Sequence, residues 1–192
     1  MNLEFWEWMI FSPPNPPREE DRFAEKMGMI ARNGYLKSVH GPWKARDFFE
    51  IPINRKDGPI WTFHERIGIT ETELSDGTTI FIAGEHEDSY DPDFYIYNDV
   101  LVFEPDGQLN IFGYPKEVFP QTDFHTASLV EERIVVIGCW GYPQDRTVGR
   151  TPVYELDLSD FHMEEKSTSG ESPGWLHGHQ AILIPDGEII VT

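Results

Sequence analysis

The chain is expected to be all-β, built from four-stranded antiparallel sheets that stack on one another and preceded by a short mixed, partly helical segment. Two observations carry this. A hairpin pattern returns along the sequence, with Leu74, Leu129 and Leu183 at matching places, 55 and 54 residues apart. In each copy a polar turn follows the leucine, and a run of β-branched residues follows the turn. With 192 residues, 39% of them apolar and 14% aromatic, the chain can bury a core of the size such sheets need.

Residues 1–60 form the first unit. "SPPNPP" (Ser12–Pro17) places four prolines in six residues, which suits neither a helix interior nor a central strand and reads as a stiff extended connector. "REEDRFAEKMGMIARNG" follows, acidic at its start, with Arg32 late and Gly34 just past the end, as the helix dipole and a glycine stop prefer. Phe23, Met27 and Ile30 share one face at helical spacing, so a short amphipathic helix is expected here. From about Ala45 the pattern becomes strand-like, and Asp57-Gly58 marks a turn.

Residues 61–192 carry the repeat, cut as 61–121, 122–175 and a partial copy, 176–192. In register the copies are "ITETELSDGTTIFIAGE" from Ile69, "FHTASLVEERIVVIGCW" from Phe124 and "GHQAILIPDGEIIVT" from Gly178. Each reads as an antiparallel hairpin around its turn: Ser75-Asp76-Gly77, Glu131-Glu132 and Pro185-Asp186-Gly187. The two complete copies continue with a third strand, "NDVLVFEPDG" and "RTPVYELDLSD", and a fourth, "QLNIFGYP" and "HMEEKSTSG". Four short antiparallel strands recurring about every 50 residues are the pattern of propeller blades, which cover their faces only by stacking.

These residues resemble a kelch-type β-propeller over roughly residues 61–192. The glycine pair of that family is met in degenerate form by Ala83-Gly84 and Gly138-Cys139, its aromatic position by Phe103 and Tyr154, and its tryptophan position by Leu109 and Phe161. "PVYELDL" followed by "SPGWLHGH" is the closest local match. The resemblance implies kelch-like blades in an incomplete ring, since a closed propeller holds four to eight. A terminal sheet with an unpaired edge favours self-association or another partner.

Charge narrows the partners. Residues 1–60 hold nine acidic and nine basic side chains, which leaves 25 acidic and six basic for residues 61–192 out of totals of 34 and 15. A field of that sign repels phosphate backbones, so neither nucleic acid nor an anionic membrane is an expected partner; a basic protein or a cation is. Cys139 is the single cysteine, so no internal disulfide and no Cys-built zinc site can form, and its apolar neighbours mark it as a buried small residue. The chain has no apolar run of membrane-spanning length and no secretion-type N-terminus, so the cytoplasm is the expected location.

The candidate sites follow from the repeat. His177 and His179 sit close together in "HGH", yet His179 aligns with His125, and recurrence at one repeat position points to a structural role, with a bond to a neighbouring backbone group. Neither a metal nor a cofactor is expected. The acidic loop from Glu85 to Asp99 offers Glu85, Glu87, Asp88, Asp91 and Asp93 as binding residues without the offsets of a calcium loop. No nucleophile elbow, phosphate loop or dinucleotide fingerprint is present, so no catalytic residue is assigned and the protein is read as a non-enzyme. The expected function is protein binding through inter-strand loops of a kelch-like module. Two alternatives stand beside it: an acidic inhibitor or immunity-type protein neutralising a basic partner, and a cation- or carbohydrate-binding propeller resembling galactose oxidase.

Overall fold

The computed structural model describes residues 31–33, 66–86, 94–107 and 109–192, and these are nearly all β. The first sheet contains β1 (Ala31–Asn33), β2 (Thr70–Glu73), β3 (Thr79–Ile82), β6 (Asp99–Phe103) and β7 (Leu109–Gly113), in the order β1-β7-β6-β3-β2. Between β3 and β6 lies a two-stranded ribbon, β4 (Glu85–His86) with β5 (Tyr95–Ile96). The second sheet is β8 (Thr126–Val130), β9 (Arg133–Ile137), β10 (Val153–Asp157) and β11 (Met163–Glu165), ordered β11-β10-β9-β8. A third hairpin, β12 (Ala181–Leu183) with β13 (Ile189–Val191), ends the described chain. All neighbours are antiparallel, so the expected four-stranded units are present, and among the described residues they do not close into a ring.

One expectation fails inside the first unit. Ala31–Asn33, read from sequence as the end of a helix, form a fifth strand in which Ala31, Arg32 and Asn33 pair with Gly113, Phe112 and Ile111. Helical spacing is a weak local preference, and the open ladder edge of β7 outweighs it. The connector "SPPNPP" and the helix face of Phe23, Met27 and Ile30 lie outside the described residues.

The core lies between the first and second sheets. Ile80, Ile82, Val100, Val102 and Phe112 come from one side, and Ile134, Val136, Tyr154, Leu156 and Met163 from the other, in one buried cluster that also takes in Tyr114 and Phe119. Strand alternation sorts them, because successive side chains point to opposite faces. Each fully buried large apolar side chain contributes about 1.5–3 kcal/mol, so neither sheet is expected to stand without the other.

The register within this stack corrects the sequence alignment. Glu73 pairs with Thr79 around a loop that includes Ser75-Asp76-Gly77, whereas Val130 pairs with Arg133 around only Glu131-Glu132. The extra loop length shifts the first strand by one residue, so Thr70 rather than Glu71 is the counterpart of Thr126. A one-residue shift reverses the face of every side chain. Leu74 and Leu129 are therefore not equivalent; they meet from opposite sheets, both packed on the shared core. Phe103 and Tyr154 are likewise out of step, since Val100 pairs with Ile82 and Val153 with Ile137, which makes Leu101 the counterpart of Tyr154. Phe103 instead meets Phe81 edge-on at 5.5 Å, while Tyr154 meets Phe119 edge-on at 5.1 Å.

Candidate functional site: the rim of inter-strand loops

The loops that leave β3 and β9 and the loops that enter β8 and β12 gather at one end of the stack. A chain of backbone bonds ties them: Gly84 N–H donates to Thr122 O, Thr122 N–H to Tyr97 O, and Tyr97 N–H to Gly84 O, all within 2.8–3.0 Å. One sheet further on, Cys139 N–H donates to Leu176 O and Gly178 N–H to Phe124 O. The degenerate glycine pairs are where the chain makes this crossing. Gly138 has φ +73°, and a Cβ there would fall 2.5 Å from Leu176 O and 2.7 Å from His179 Cε1. No side chain fits in that space.

Each recurring histidine bridges to the sheet before it. His125 Nε2 lies 2.8 Å from Thr70 Oγ1, and His179 Nε2 lies 3.0 Å from Thr126 Oγ1. The partner is thus a threonine hydroxyl, where a backbone group was expected. Burial, and then the charge of His179, pushes His125 down to about 3, so the ring is neutral. The "HGH" histidines go separate ways: His177 packs edge-on to Trp140 at 4.1 Å between centroids.

Beneath the loops lies a buried polar layer. Arg66 reaches both carboxylate oxygens of Asp99 at 2.6 and 2.9 Å, donates to Ala83 O, and stacks 3.6 Å above the Tyr97 ring. Asp123 is fully buried. It accepts the Gly141 N–H at 2.6 Å, and its backbone carbonyl accepts the Trp140 N–H. Burial raises its pKa, against the opposing hydrogen bonds from Gly141 and Glu85 and the charge of Arg146. Cys139 is buried beside it and pushed up to about 12 by desolvation and then by Asp123, so its thiol stays protonated.

The base of the acidic loop is therefore no solvated linker. Glu85 is buried and pairs with Ile96 in the β4–β5 ribbon, and Tyr95, Ile96 and Tyr97 are buried around it. Strand pairing absorbs residues that composition alone assigns to a loop. Glu87, Asp88, Asp91 and Asp93 lie outside the described residues. Gly84 and Gly138 sit at the crossings, and His125 and His179 at the threonine bridges. Of the positions matched to tryptophan, Leu109 starts β7, and Phe161 stacks on Phe112 at 4.4 Å from the turn before β11.

The outermost layer was not legible in the sequence. Trp140 is 40% exposed, and the Arg146 guanidinium lies 3.9 Å above its ring. The Trp140 carbonyl accepts from Arg146 Nε at 2.9 Å and from Trp175 Nε1 at 3.4 Å. Trp140, Arg146, Trp175 and His177 thus form one cluster drawn from two loops, with fully exposed Val148 near it in sequence. The signal that could have found it is a tryptophan next to the glycine-pair crossing, where the chain turns outward.

Among the described residues no three His, Cys, Asp or Glu side chains gather as metal ligands, and no helix is long and apolar enough to cross a membrane. No family model matches the chain, and no curated protein matches it.

Proposed function

We propose that the chain is a non-catalytic, protein-binding module of the kelch-like propeller type, whose contacts are made by the loops between strands at one rim. The observation that carries this reading is the Trp140–Arg146–Trp175–His177 cluster. Tryptophan and arginine concentrate binding energy at the centres of interfaces, and here the stacking and the carbonyl bonds hold them in place before any partner arrives. Holding them beforehand lowers the ordering cost of association. Support for stacked kelch-like units comes from the repeated crossing glycines and the repeated histidine–threonine bridge.

The test is affinity capture with the full chain and with the double variant Trp140→Ala/Arg146→Ala, followed by mass spectrometry and a melting curve. A partner that the native chain retains and the equally stable variant loses supports the reading; identical capture by both sinks it.

A specific feature of the third hairpin favours self-association as well. Ile182 pairs with Ile190, and the two are 56% and 46% exposed. An exposed apolar pair on one face of a hairpin suits contact with a second copy of the chain.

A further inference from the structure

The opposite end of the stack, where β2 turns into β3 and β8 into β9, carries a groove of about 360 Å³. Its volume lies within the range of ligand-binding clefts. The floor is Leu74 from the first sheet with Leu129 and Leu158 from the second, all half-buried and packed on the core between the sheets. The one-residue shift in register makes this floor, because it turns Leu74 and Leu129 toward each other. The walls are Asp76, Glu131 and Glu132, with two serine hydroxyls and no cationic side chain among the lining residues. Asp76 accepts the Thr78 N–H at 2.9 Å, which fixes it as an ionised acceptor.

Apolar at the bottom and anionic at the lip, this groove complements an apolar side chain carried between cations. We propose that it is a second docking site, separate from the loop rim, that takes a protein segment presenting one large apolar side chain flanked by lysines or arginines. Charge complementarity selects this occupant: an uncharged apolar segment leaves three carboxylates without counter-charge, and an acidic one is repelled. The site stands whether or not the loop rim binds a protein, because the two share no residue.

The test uses the full chain with ¹³C-labelled leucine methyls and the peptide acetyl-Lys-Lys-Leu-Lys-Lys-amide as probe. Saturable shifts of the Leu74, Leu129 and Leu158 methyls are expected, weakened about tenfold when glycine replaces the central leucine or glutamates replace the lysines. Glu131→Lys/Glu132→Lys, at exposed positions, is expected to abolish the shifts without lowering the melting temperature. Equal response to the glycine peptide, shifts confined to other methyls, or unaltered binding by the double variant overturns the site. So does the finding, from inter-residue contacts in the free protein, that another segment of the chain already fills the groove.

Discussion

His125 recurs at one place in the repeat, which was legible in the sequence, but its partner Thr70 comes from the preceding sheet and was not. The neutral ring has a consequence for pH. An unfolded histidine titrates near 6.5, while the folded one is held at about 3. Between these values the unfolded chain binds a proton that the folded chain does not. This group therefore removes stability as the pH falls below about 6.5, by about 1.4 kcal/mol per pH unit, and has no effect above it. Asp123 works in the opposite sense: burial raises its pKa, so the folded chain keeps a proton that the unfolded chain gives up, and its contribution declines as pH rises from the ordinary carboxylate range to the raised value. Denaturant titrations at pH 7 and pH 5 should find that His125→Gln reduces the acid loss of the native chain by about 2 kcal/mol. Equal losses in the two proteins would remove the histidine from the account.

At the scale of elements, the first sheet is tied to the loop rim by Arg66 and Asp99. Both are buried, Asp99 begins β6, and Arg66 also holds the Ala83 carbonyl where β3 leaves the sheet. Removing one member of a buried ion pair takes the bidentate counter-charge from the other, which costs about 3–5 kcal/mol, whereas replacing both with apolar side chains of similar size costs much less. Arg66→Met and Asp99→Leu should each lower stability by that amount, and the double variant should recover more than half of the summed loss in a chemical-denaturation cycle. Simple additivity would mean that the two residues act independently. The hairpins themselves were readable, because turn residues and β-branched runs are local signals. Strand β1 was not, since nothing local in Ala31–Asn33 names β7 as its partner.

For the molecule as a whole, two sheets share one apolar core, a third hairpin is tied to the second sheet through the His179–Thr126 bridge and the Gly178–Phe124 bond, and Ile182 and Ile190 of that hairpin stand partly in water. Sedimentation velocity across a concentration series is expected to find the native chain self-associating, and Ile182→Lys/Ile190→Lys monomeric with an unchanged melting curve. A native chain that stays monomeric throughout the series rejects the interface.

Legible in the sequence alone were the β character of the described repeat, the places where its hairpins turn, the strands that follow them and the acidic charge of this region. These follow from period, turn chemistry and composition, all of which act over a few residues. Tertiary structure alone decided the register between repeats, and with it which leucines face each other. One added loop residue reverses a strand's faces while leaving its pattern of residue types nearly unchanged. The same limit hid the Trp140 cluster and the groove, whose members lie far apart along the chain and meet only because the sheets must cover one another.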